Sequence, residues 1–500
     1  MQPSRSALVR QRLADERGRM DKEAPFTVAL LYPSPYGAGM SSLGYQRIYR
    51  AIQEEPGLAC ERVFLDDEAE TDLTRQTRPM SYEGQRPLED FPIIATSIAY
   101  EIEIGGLVAM LDAAKVPALS AERHDEHPFV LAGGPLTFSN PLPLAPIVDA
   151  IIVGEAEELI VPVLRVLEAA RMARRSRASV LDELAAIPHV FVPAIHGASL
   201  PLVAKANVDL IPAWAPIITP HAALSDMFLI ETERGCSRSC TYCVMRRSTN
   251  GGMRLAPMER ILELIPEHVC RVGLVGAAVS DHPRIVQIVS TLADRGIEVG
   301  LSSLRPDRLT DEFVGALKRA GYKTLTTAMD GPSDRLRTML ERKAKEKHLI
   351  RSAELARLHK MDRLKLYLMI GLPSETDADI DECVAFVTEL SKVIPVSLGI
   401  APFCAKRNTP LDGMPFAGID VVTDRLDRMK RGFKGRVDVR STSAKWAWIE
   451  YVLAQGGPEE GVSVVEAVRA GGRYADYRRA FEARAAASPK PRRSLAIAPV

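Results

Sequence analysis

The chain has 500 residues, enough for two or three domains around a sizeable buried core. Its 64 Lys and Arg balance 64 Asp and Glu, so no global field draws it to nucleic acid or to a membrane surface. Seven cysteines, an odd count, argue against a secreted disulfide framework; with no apolar run long enough to span a bilayer, the expectation is a soluble, cytoplasmic protein.

Residues 1–24 mix charges, lack an apolar stretch and read as a flexible amphiphilic arm. Residues 25–205 alternate short apolar runs with helical patterns, the mark of a parallel α/β sheet. Five strands are expected there, at 26–31, 62–65, 93–96, 129–132 and 150–153. Several end in polar or glycine turns, among them Ser97, Gly133-Gly134 and Gly154-Glu155, and in a doubly wound sheet ligands sit over such carboxyl-end turns. A Pro- and Ala-rich segment over 188–220 reads as a wrapping linker. Within 206–440 the alternation restarts, with strands at 228–231, 272–275, 297–301, 324–327, 366–369 and 396–400. Six βα units are too few to close an eight-stranded barrel, so a partial (β/α)6 barrel of the TIM type with an open side is expected. Residues 441–486, with Trp446, Trp448, Tyr451, Tyr474, Tyr477 and Phe481 at helical spacing, form a small helical cap, and 487–500 a disordered tail.

The most informative feature is the loop from Gly235 to Cys243, directly after the first strand of the second domain. Cys236, Cys240 and Cys243 hold three corners of a cubane 4Fe-4S cluster and leave one iron open to a small molecule. The competing reading is a structural zinc site, for which His221, His268 or His282 would have to supply the fourth ligand. Cys404, at the carboxyl end of the last barrel strand, is placed to face the cavity as a catalytic thiol or hydrogen donor, or to be a buried bystander. Arg246-Arg247 either bind a phosphate or carboxylate or form a solvated loop.

Together these residues resemble the radical S-adenosylmethionine (SAM) enzymes that carry an N-terminal cobalamin-binding-type domain. That resemblance implies a Rossmann-like, cobalamin-binding type of N-terminal sheet ahead of the partial barrel. It also implies a 5′-deoxyadenosyl radical formed by reductive cleavage of SAM. Tyr242, the aromatic before the last cysteine, is similar to the residue that lies beside the adenine. Glu233-Arg234-Gly235 is typical ahead of the first cysteine. Gly276 and Ala277 stand where a Gly-Gly-Glu element lines the SAM amino group, although the glutamate is missing here. Ser303 and Arg305 are matched as ribose and carboxylate partners. Ile370, Gly371 and Pro373 belong to a Gly-Leu-Pro turn whose apolar residue packs on adenine.

Ser97, Gly133, Gly134, Gly154 and Glu155 are similar to turns that cradle cobalamin, but the motif that would supply a histidine to cobalt is absent. The implied function is a cobalamin-dependent methyltransferase acting on an unactivated carbon of a small-molecule or peptide substrate, reduced by flavodoxin or ferredoxin. The alternatives are a rearrangement, oxidation or C–S bond formation with a vestigial cobalamin domain, and a non-enzymatic sensor that uses the cluster for redox reporting.

Overall fold

The computed structural model describes residues 5–245 and 252–487. Six strands form the first sheet: β1 (Phe26–Pro35), β2 (Leu58–Leu65), β3 (Ile93–Ser97), β4 (Phe129–Gly133), β5 (Ala150–Ile152) and β6 (Val190–Phe191). Their order is β2-β1-β3-β4-β5-β6, with β1 to β5 parallel and β6 antiparallel to β5. The short sixth strand lies inside the segment expected to be only a linker. Alternate residues of the strands point to opposite faces, and both faces are buried. Ala29, Leu31, Ile94 and Val130 join one core, while Val28, Leu30, Ile93 and Leu131 join another.

The second domain sets out β7 (Phe228–Glu231), a short antiparallel pair β8 (Glu233–Arg234) and β9 (Arg254–Leu255), then β10 (Arg271–Val275), β11 (Glu298–Leu301), β12 (Thr324–Asp330), β13 (Arg363–Ile370) and β14 (Val396–Pro402). A parallel bridge between Leu304 and Thr327 joins β7-β10-β11 to β12-β13-β14, so all six expected strands stand in one parallel row. A seventh, β15 (Asp438–Ser441), extends it beside β14. This strand is mostly exposed and polar, so it left no apolar run to read. The outer edge of β7 meets Trp214 of the incoming linker.

One expectation is corrected. The N-terminal arm is docked: the Arg5–Ala14 helix buries Val9, and the bidentate ion pair of Glu16 with Arg62 of β2 lies wholly inside the domain. The C-terminal helices Ala444–Gln455, Pro458–Arg469 and Tyr474–Ala487 cap the first sheet. Ile449, Leu453, Val464 and Phe481 share a core with the Glu103–Ala113 helix over β1, β3 and β4. Among the described residues no helix is long and apolar enough to cross a membrane.

Candidate functional site

Strand β7 delivers the chain into the cysteine loop. After it, β8 leaves the parallel row, and Gly235 takes a positive φ of 93°, a turn glycine makes without strain. Neighbouring carboxyl-end turns then clamp the loop. Arg238 pairs with Asp307 at 3.1 Å and Asp281 at 3.8 Å; the Ser239 hydroxyl donates to Glu341 at 2.9 Å; the Thr241 amide donates to the Leu340 carbonyl, and the Thr241 carbonyl accepts from the Leu411 amide.

Cys240 is buried, Cys236 and Cys243 are half-buried, and all three are free thiols. Burial pushes the Cys236 and Cys243 thiols up, and the neighbouring cysteine sulfurs add to the effect. Three crowded soft donors of this kind are what thiophilic iron neutralises, so the set fits a 4Fe-4S cluster with one iron left open. Among the described residues no three Cys, His, Asp or Glu side chains enclose a single metal ion. The zinc reading also loses two of its proposed fourth ligands, because His221 pairs with Asp15 and both ring nitrogens of His282 are bonded to backbone.

Tyr242 packs with Leu336, Leu372 and Phe403, and Met369 borders the same cluster, so the loop meets the turns after β13 and β14. Its phenol bonds Asp330 at the end of β12, and Asp330 pairs with Arg342, which in turn bonds Cys240. Sequence reasoning missed this Tyr242–Asp330–Arg342 chain; its one signal was an acid at a barrel strand's carboxyl end.

The element expected to line the SAM amino group is occupied by a side chain of this protein. Gly276 lies directly against the Glu233 carboxyl, leaving no room for a Cβ, and the amides of Ala277 and Ala278 donate to that carboxyl. The Oε2 of Glu233 is buried without a partner. Burial, with Glu231 and Asp281 nearby, pushes the Glu233 pKa up to about 8 from 4.5. The folded protein therefore holds a proton there that the unfolded chain has released. Stability contributed by that proton is complete below about pH 4.5 and is lost progressively as pH rises to about 8. Glu233→Gln is accordingly expected to leave the ligand-free protein unchanged at pH 4.5 and to stabilise it by about 2 kcal/mol at pH 8.5. Urea unfolding at the two pH values checks this; an equal effect at both would show that Glu233 titrates in the folded protein as it does in the unfolded chain.

Two SAM assignments are corrected. Arg305 is buried between Asp281 and Asp307, which neutralise it, so it offers no free cation to a carboxylate; Ser303 in the same turn is exposed. Ile370 is fully buried with Leu364, Leu366 and Leu368 in the core of the second domain, whereas Met369 borders the apolar cluster on which Tyr242 also packs. The strand's two-residue period sends neighbours to opposite faces, so one register step separates the two. Gly371, with φ 75°, donates its amide to Glu375, and Pro373 follows half-buried in the same turn.

Ser97, Gly133, Gly134, Gly154 and Glu155 do converge. They line one cavity of about 370 Å³ at the carboxyl end of the first sheet, where Gly235 and Met245 of the cysteine loop form part of its wall. Gly134 has φ 100°, and a Cβ there would come within 2.7 Å of the Ile98 carbonyl oxygen, so the turn requires glycine. Glu155 accepts from the Ala206 amide, Arg234 and Arg254, clamping the first domain to the strands around the cysteine loop. Among the described residues no histidine lines this cavity. Its mainly apolar lining, with a few polar groups, has the character of a small-molecule or cofactor site.

The Cys404 thiol donates to the Ala447 carbonyl at 3.1 Å, and burial, with Glu450 nearby, holds it far above its ordinary pKa, so it stays protonated. Nearby Lys406 joins Glu101 of the first domain to Glu450 of the C-terminal helices, both at 2.7 Å. Arg246 and Arg247 lie outside the described residues.

A cysteine loop at the carboxyl end of a parallel strand row, facing a second α/β sheet, defines the class of protein. Residues 230–387 match the family model of the radical SAM superfamily, and residues 44–193 match that of radical SAM proteins, N-terminal. The chain is a radical SAM protein. An uncharacterized protein of Methanocaldococcus jannaschii is 26% identical over 391 residues, 77% of this chain and 79% of the relative. The ribosomal protein uS12 methylthiotransferase RimO of Syntrophus aciditrophicus is 30% identical over 205 residues, 37% of this chain and 44% of that protein. The solved structure of the cobalamin-dependent SAM radical enzyme OxsB with aqua-cobalamin bound is similar at a TM-score of 0.49 and 13% identity, over 82% of this chain and 56% of that one.

Proposed function

We propose that this radical SAM enzyme cleaves SAM reductively and, with a corrinoid in the cavity of the first sheet, transfers a methyl group to an unactivated carbon of a small-molecule or peptide substrate. The observation that carries this reading is the shared wall: the turns Ser97, Gly133-Gly134 and Gly154-Glu155 and the cysteine loop border one space. When bound, the cluster and corrinoid supply the electron and the methyl carrier.

The chain's own residues do the positioning. Cys236, Cys240 and Cys243 present three sulfurs, and Arg342 beside Cys240 would offset part of the negative charge of their thiolates once a cluster is held. Tyr242 and Met369 form an apolar wall suited to an adenine ring. Glu233 offers a free buried oxygen to a cationic group at the turn after β10. The Lys406 bridge, and an Asn408 amide donating to the Ser139 carbonyl at 2.8 Å, hold the two domains together and keep water from the space between them. A flavodoxin or ferredoxin is the proposed electron donor.

A second reading, C–S bond formation, is favoured by the methylthiotransferase names of several partial relatives. Anaerobically reconstituted enzyme, given methyl-labelled SAM, a chemical reductant and candidate metabolites or peptides, separates the two. Corrinoid-dependent gain of one labelled methyl is the expected result. Gain of a methylthio group, or methylation indifferent to corrinoid, overturns it.

A further inference from the structure

The same cavity contains a cation for which the described residues provide no counter-ion. Arg47 lines it, is 9% exposed, and its Nε has no hydrogen-bond partner. Among the described residues no carboxylate pairs with it. The other charged groups of the cavity are already matched, since Glu155, Glu157 and Glu231 are held by Arg234, and Glu155 also by Arg254. Arg50, one turn further along the Leu43–Glu54 helix, pairs with Glu54 at 3.5 Å and stacks on Trp214 at 3.9 Å. Burial, and then Arg47 itself, pushes the Arg50 pKa down to about 10, so the two cations feel each other without a shared anion. A buried charge left unpaired is costly unless something completes it.

Three further donors point the same way. Arg47 projects toward the N-terminus of its twelve-residue helix, where Leu43 and Gly44 belong to the first turn and have no intrahelical acceptor for their amides. Both residues line the cavity, and a Cβ built on Gly44 meets nothing within 4 Å, so the space beside that turn is open. Across from them, the Thr96 hydroxyl at the carboxyl end of β3 is 4% exposed and also has no partner. A guanidinium, two helix-terminal amides and a hydroxyl around one space form an anion site, and Leu30, Ile48, Leu131, Phe138 and Ile152 supply an apolar surface beside it.

We infer that this cavity binds a ligand with an apolar body and a single acidic group, a carboxylate or phosphate, which Arg47, the Leu43 and Gly44 amides and the Thr96 hydroxyl receive. Whether the acid belongs to a cofactor or to a substrate, the chemistry at the protein is the same, and the inference does not depend on the proposed reaction.

A matched pair of fluorescent probes tests it on the full-length protein without SAM: 8-anilinonaphthalene-1-sulfonate, apolar with one anionic group, and N-phenyl-1-naphthylamine, the same body without it. Wild type is expected to bind the sulfonate at least about tenfold more tightly than the amine. Arg47→Met should lose at least about tenfold in sulfonate affinity while amine binding stays within about twofold, and Arg47→Lys should retain most of the preference. Unchanged amine binding shows that the cavity of the variant is intact. The inference is overturned if wild type shows no preference, if Arg47→Met leaves sulfonate binding unchanged, or if that variant weakens both probes equally.

Discussion

Serine in place of Cys236, Cys240 or Cys243 is expected to remove bound iron and to lower reductive release of 5′-deoxyadenosine from SAM by more than about 100-fold. The three positions are not interchangeable with oxygen donors, because soft thiolates hold iron-sulfur clusters and a hydroxyl is a poor substitute. Changes one layer outside a metal's ligands already cost about 10- to 100-fold, so loss of a ligand must exceed that. The loop should survive the substitution. Its clamps through Arg238, Ser239 and Thr241 remain, although the contact to Arg342 does involve a cysteine side chain, that of Cys240. Iron content, the anaerobic absorbance near the iron–sulfur bands and circular dichroism measured together provide the check. A serine variant that keeps full iron and full cleavage would remove that cysteine from the ligand set, and one that unfolds would show that the thiol is structural.

The largest stability effect is expected at the other end of the chain. Arg62→Ala should destabilise the protein by about 3–5 kcal/mol, the cost of leaving buried charge unpaired. The Arg62 guanidinium is fully buried and bonds both Glu16 carboxylate oxygens at 2.7 and 2.8 Å, while its Nε donates to Glu83 at 2.6 Å. Its removal strands the Glu16 and Glu83 carboxylates and weakens the hold on the N-terminal arm, where Glu16 also accepts from the Tyr36 hydroxyl. Arg62→Met with Glu16→Gln and Glu83→Gln, which takes away all three charges and roughly keeps volume, should recover much of the loss. Urea unfolding of the three proteins checks this. A loss below about 1 kcal/mol for Arg62→Ala would mean that the arm detaches at little cost and that the pair behaves as a surface ion pair.

Much of the architecture was legible because strands buried on both faces read as continuous apolar runs. All eleven expected strands are present, six of them in the parallel row of the second domain. The turns Ser97, Gly133-Gly134 and Gly154-Glu155 were legible for the same reason, since a strand's carboxyl end locates its turn, and the fold then gathers them around one cavity. The misreadings share a cause. The N-terminal arm looked solvated because Glu16 is charged, and nothing local reveals that Arg62 waits for it in β2. Strand β15 lies exposed at an edge and carries no apolar signature. Ile370 and Met369 are both apolar, so only the register of β13 decides which one borders the cluster on which Tyr242 packs. Arg305 looked like a ligand-binding cation until Asp281 and Asp307, each brought by a different turn, closed around it.

By itself the amino-acid order determined the chemistry on offer: three thiols on one short loop behind a strand, and glycine turns at strand ends. Those are local properties, set by spacing along the backbone. The tertiary structure alone decided which charges are paired and which are left over, with Glu233 and Arg47 holding unmatched polar atoms while Arg305 and Glu155 are used up in ion pairs. Burial and partner choice are properties of the packed chain, because a charge is satisfied or stranded only by groups that folding brings beside it.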